Sequence, residues 1–114
     1  MKILLYKYTS KALKVEVLAK INDDGDLIIE GYDIGEIVKE LKGDLDYEYY
    51  ITVKQKNKAR LAIALVPPLS GTPKNNDKLL LETIYQRFAG ENAFSSIKQY
   101  LEENDIPFDT FFWN

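Results

Sequence analysis

The carboxylates of the stretch GDLDYEYY, residues 43–50, are the first groups in this chain that could do chemistry. Asp44, Asp46 and Glu48 recur at every second position, and an extended backbone points every second side chain to the same side. Neighbouring acids would then originate about 6.5–7 Å apart, near the ~6.5–9.5 Å that separates acid and base in inverting glycosidases. Any alternating acidic strand has this spacing, so it does not single out catalysis. Tyr47, Tyr49, Ile51 and Val53 fall on the opposite side and make a core face. Asp44, Asp46, Glu48, Tyr50 and Thr52 make a wet one, because unpaired buried carboxylates are too costly.

What is missing narrows the chemistry further. The chain contains neither histidine nor cysteine. Ser-His-Asp and Cys-His nucleophiles, histidine bases, thiolate metal sites and disulfides are all excluded. The acidic NDDGD segment superficially suits calcium. Placing Gly25 at the sixth position of a calcium loop, however, puts Lys20 first and Gly31 twelfth, where a ligand and a bidentate glutamate are needed. Neither GYDIG nor SGTPKNN has the glycine-lysine spacing of a phosphate loop. No catalytic residue, metal ligand or cofactor is assigned.

The net charge of −3 conceals an uneven distribution. Residues 1–21 hold five lysines against one acid, and residues 22–50 hold ten acids against two lysines. Lys54, Lys56, Lys58 and Arg60 then form a short basic run. A helix would spread those cations around its circumference, where they balance the preceding acidic block. A nucleic-acid binder needs a dominant basic footprint; here the concentrated block is acidic, so nucleic acid is not expected. The only apolar run near the start, Ile3 to Tyr6, is too short for a signal peptide, and no stretch approaches the ~20 apolar residues of a membrane span. A cytoplasmic protein without a membrane partner is expected.

The elements that must position these groups follow from periodicity. A length of 114 residues with 46% hydrophobic content predicts one domain spanning 1–114 with its own core. Lys2 to Thr9 and Lys14 to Ile21 read as strands, the second with Val15, Val17, Ala19 and Ile21 on one face. A three-residue Asp23-Asp24-Gly25 hairpin loop pairs Ile21 with Leu27 and Ala19 with Ile29. Asp33 and Glu36 have capping-box spacing for a short helix whose Ile34, Ile37, Val38 and Leu41 share a face, with Gly43 as its stop. A strand should start just past Gly43. Residues 54–66 fit a helix better than a strand, PPLSGTPKNN reads as a loop, and a helix runs from Asp77 to Ala89. That helix turns Leu80, Leu81, Ile84, Tyr85 and Phe88 inward and ends at Gly90. Asn92 caps a last helix with Phe94, Ile97 and Leu101 on one face. The predicted fold is α+β. It has an antiparallel sheet of about four strands, a short helix between strands three and four, and two or three C-terminal helices packed on the sheet. Phe108, Phe111, Phe112 and Trp113 close the chain as core or sheet packing, and any exposed portion would be a docking feature.

The run GYDIGEIVKELKGDLDYEYYITV resembles a pattern of small uncharacterised bacterial proteins: Gly-x-Asp-x-Gly, a short helix, then Gly-Asp-x-Asp-Tyr-Glu-Tyr. The positions are Gly31, Asp33, Gly35, Gly43, Asp44, Asp46, Tyr47, Glu48 and Tyr49. No activity comes with that resemblance. In size, acidity and lack of catalytic residues the chain is also similar to immunity proteins of bacterial toxin–immunity systems. That likeness implies a non-enzymatic protein that covers a basic toxin domain. Its contacts would be Asp44, Asp46, Glu48 and Tyr50, with Asp23 and Asp24 if the hairpin lies alongside. A small carboxylate-dependent or metal-assisted hydrolase is the alternative, as is an oligomerising regulatory module that associates through the aromatic tail.

Overall fold

The computed structural model describes residues 1–42, 46–65 and 76–113. The chain runs β1 (Lys2–Thr9), β2 (Lys14–Ile21), β3 (Leu27–Ile34), α1 (Glu36–Lys42), β4 (Asp46–Val53), α2 (Gln55–Leu65), α3 (Asp77–Phe88), α4 (Ala93–Glu103) and β5 (Asp109–Trp113). The strands form one antiparallel sheet in the order β1-β2-β3-β4-β5. The α+β class holds, but the sheet has five strands and not four. The aromatic tail is itself the extra strand, pairing along β4 from Glu48↔Trp113 to Thr52↔Asp109. No helix among the described residues is long and apolar enough to cross a membrane.

The β2–β3 hairpin takes the expected register, Ile21 opposite Leu27 and Ala19 opposite Ile29. The Asn22 side-chain oxygen accepts from the N–H groups of Asp24 and Asp26 (3.0 and 2.9 Å), and Gly25 takes φ 81° at the left-handed position. Asp26 then reaches out of the hairpin. Its carboxylate accepts the Gln55 N–H at 2.8 Å, at the start of α2, with Lys54 Nζ 3.7 Å away. Helix α2 has no acid in its first turn, so Asp26 supplies from the β2–β3 hairpin loop the negative charge that a helix N-terminus favours.

Other local expectations were overridden by tertiary pairing. Strand β3 continues to Ile34, so Asp33 lies opposite Tyr47 in the ladder instead of capping α1, and Ile34 lies opposite Asp46. The Asp33 carboxylate accepts the Tyr49 hydroxyl at 2.7 Å. Of the apolar residues assigned to the α1 face, Val38 is buried, whereas Ile37 and Leu41 are exposed. Tyr85 on α3 is also exposed, and Asn92 precedes α4 without a side-chain cap bond. Lys58 is not one of a solvated set of cations: it is buried and holds Asp77 of α3 at 2.8 Å. Gly43, Asp44 and most of the proline-rich loop lie outside the described residues.

The core sits between one face of the sheet and helices α2, α3 and α4. From the sheet come Leu5, Val17, Ala19, Leu27, Ile29, Ile51 and Val53; from the helices come Leu61, Leu80, Ile84, Ile97 and Leu101 among others. Each fully buried aliphatic side chain of this set contributes roughly 1.5–3 kcal/mol. At one point the sheet lacks a side chain, and the space is filled from across the strand pair. Gly31 lies opposite Tyr49, whose ring folds over it and meets Phe94 of α4 edge-on at 4.7 Å.

Two outcomes are expected. A Cβ at Gly31 would lie 1.8 Å from the Tyr49 ring, and Asp33 and Phe94 hold that ring in place. Gly31→Ala should therefore cost about 2 kcal/mol in denaturant unfolding. The cost should shrink in a Tyr49→Leu background, and equal costs in both backgrounds would contradict the packing account. Burial, then the hydrogen bond and charge of Asp33, push the Tyr49 phenol well above its ordinary value. The folded-state value exceeds the unfolded one, so this stabilisation is complete below about pH 10 and is lost as pH rises above that. Tyr49→Phe should lose about 1 kcal/mol at neutral pH and show a shallower alkaline decline than the parent; parallel declines would contradict it.

Candidate binding face

With α2, α3 and α4 packed on one side, alternation sends every other strand residue to the opposite face. The ladders are continuous from β2 to β5, and a bulge at Leu5 interrupts only β1, so the face can be read as rows running across the strands. One row runs Leu4–Leu18–Glu30–Tyr50–Phe111, and the next runs Lys7–Glu16–Tyr32–Glu48–Trp113. The flanking rows are Lys2–Lys20–Ile28–Thr52–Asp109 and Thr9–Lys14–Ile34–Asp46. The two middle rows alternate carboxylates with rings, so that each glutamate has a tyrosine beside it on the adjacent strand.

The charge changes sign across the sheet. Lys2, Lys7, Lys14 and Lys20 stand on β1 and β2 with Glu16 among them, while Glu30, Asp46, Glu48 and Asp109 stand on β3, β4 and β5. Lys20 and Glu30 meet at 3.6 Å with both side chains partly exposed, a contact worth close to nothing in net stability. Asp46 and Glu48 are in no ion pair among the described residues. Between β2 and β4 lies a shallow hollow of about 210 Å³, with Glu16, Glu30 and Glu48 around it and Tyr32 and Tyr50 as walls.

Of the expected contact residues, Asp46, Glu48 and Tyr50 share this face, as strand alternation requires. Asp44 lies outside the described residues. Asp23 and Asp24 do not come alongside. Their loop adjoins the Leu27↔Val53 end of the ladder, whereas Asp46 pairs with Ile34 at the other end, seven residues or roughly 23 Å away. Sequence reasoning did not name Glu16, Glu30 and Tyr32, and it gave Phe111 and Trp113 only as tail residues that would serve docking where exposed. Each sits on an alternating strand with its polar or aromatic side facing away from the core, but only strand order reveals that they are neighbours.

The rings sense the acids. Partial burial, followed by the charge and hydrogen bonding of Asp46 and the charge of Glu48, raises the Tyr32 phenol. Partial burial, then Glu48 and Glu30, raises Tyr50. Among the described residues, no group of three acidic side chains could hold a metal ion. The face can therefore offer negative potential, apolar contact and π-surface to an incoming group.

Glu48 acts on both phenols, which gives a direct check. Glu48→Gln should lower the titration midpoints of Tyr32 and Tyr50 together, read by NMR of the ring resonances, with the change reduced in high salt. A shift confined to one tyrosine would contradict the shared field. Comparison with protein-family models, with curated proteins and with solved structures finds no match for this chain.

Proposed function

We propose that this protein is a non-enzymatic binding protein, an immunity protein that neutralises a bacterial toxin by covering a basic surface with its open sheet face. The observation that carries the reading is the pair of middle rows, in which Glu30, Glu48, Tyr32, Tyr50, Phe111 and Trp113 interleave on the face opposite α2, α3 and α4. Acids spaced this way attract a cationic partner at long range and raise the rate of encounter. The rings between them supply the desolvated contact area that holds a complex together, and they stack readily on arginine. A toxin whose cleft grips phosphate is basic in that cleft, so a rigid acidic sheet both finds it and blocks it. The lysines on β1 and β2 give the face polarity, which favours one docking orientation over its reverse. In this reading the protein acts in the cytoplasm of the toxin-producing cell.

The residues proposed to contact the partner are Asp46, Glu48 and Tyr50, extended to Glu30, Tyr32, Phe111 and Trp113. Asp44 belongs to the same proposal through its position in the sequence. Carboxylate catalysis receives less support, because an open and nearly flat face does not shield a reacting bond from water.

The test begins with the reading frame beside this gene. Its product should arrest growth when expressed alone, and co-expression of this protein should restore growth. For the purified pair, Asp46→Lys/Glu48→Lys should slow association at least tenfold at low salt and flatten its salt dependence. A harmless neighbouring product would overturn the immunity assignment. Unchanged association by the reversed-charge variant would overturn the role of the face.

A further inference from the structure

We propose that two copies of this chain associate edge to edge through β5, paired antiparallel about a two-fold axis at Phe111, joining two sheets into one of ten strands. The two edges of the sheet are built differently. At β1 a bulge displaces Leu5, the Leu5 carbonyl accepts the Gly90 N–H at 2.9 Å, and Lys2 and Lys7 stand on the strand. Bulges, lysines and a covering loop are the devices that keep an edge strand from pairing. Among the described residues, strand β5 has none of them. Among the described residues it pairs only with β4, it contains neither lysine nor proline, and its Phe111, Phe112 and Trp113 are 55, 52 and 60% exposed.

The strand is also complementary to itself. A two-fold at Phe111, the centre of Asp109–Trp113, opposes Phe111 with Phe111, Thr110 with Phe112 and Asp109 with Trp113. All five residues are paired and no two like charges sit directly opposite, an arrangement in which cross-strand aromatic pairs stabilise the ladder. Registers centred elsewhere leave an end residue unpaired. The Leu4–Leu18–Glu30–Tyr50–Phe111 row would continue through the axis into its symmetry mate. Both open faces would point the same way. Three rings a little over half exposed offer roughly 300–350 Å² per copy, which with the backbone edge puts the contact at the small end of specific interfaces. A contact of this size suits a weak, reversible dimer.

The experiment needs only the purified chain, so its outcome is independent of toxin binding. Sedimentation between about 1 and 300 µM, the range in which an interface this small associates, should show a monomer–dimer equilibrium. Phe111→Lys should stay monomeric with an unchanged circular dichroism spectrum, since the residue is exposed. The chain has no cysteine, so single-cysteine variants report the register cleanly. Phe111→Cys should form a covalent dimer on mild oxidation, because residues facing each other across the axis lie within disulfide reach. Thr110→Cys, opposite Phe112, should not. A monomer throughout the range, a Phe111→Lys dimer, or equal cross-linking of the two cysteine variants would each overturn the proposal.

Discussion

The register of β3 against β4 is the constraint on which the rest of this molecule depends. Gly31 opposite Tyr49 settles both faces of the sheet at once. On the helical side it lets the Tyr49 ring lie across the glycine, against Phe94 and bonded to Asp33. On the open side it sets Glu30 beside Tyr50 and Tyr32 beside Glu48. A slip of one residue would exchange the faces, driving carboxylates into the core and Ile29 and Ile51 into water. Core packing and surface chemistry are thus two consequences of one alignment.

The layer formed by α2, α3 and α4 makes this alignment consequential because it packs on one face of the sheet. Among the described residues, two ionic contacts hold helix ends in place, and both draw on groups distant in sequence. Asp26, in the β2–β3 hairpin, holds the N-terminus of α2, and Lys58 of α2 holds Asp77 at the start of α3. Lys58 is buried, so its charge needs that partner, and losing Asp77 would strand it. These contacts fix where the helices start more than they add to stability, most of which comes from the aliphatic contacts beneath.

The proposed binding role and the proposed dimer use different parts of the same sheet. The open face presents charge and rings; the β5 edge presents backbone groups and rings. Phe111 belongs to both, with its side chain on the face and its backbone at the edge. Edge pairing about Phe111 would enlarge the acidic face without covering it.

The strands and helices themselves were legible in the sequence wherever one strong local signal acted alone. Alternation in residues 14–21 and 46–53 gave the strands and their faces, and Gly25 gave the hairpin and its register. The 3.6-residue pattern placed the helices from Gln55 and Asp77 and the one that starts at Ala93. Where a local signal competed with pairing, pairing won. Asp33 had the spacing of a helix cap but lies in the ladder opposite Tyr47, where its carboxylate accepts the part-buried Tyr49 hydroxyl. The aromatic tail became an edge strand because β4 left a ladder open beside it, and the bulge at Leu5 turned Tyr6 towards the core side. By itself the sequence determined which residues of β2 and β4 point away from the core, since in an unbulged strand that depends only on the twofold repeat of an extended backbone. Only the tertiary structure decided which of those residues are neighbours, since strand order brings Glu16, Glu30 and Glu48 together across more than thirty residues of chain.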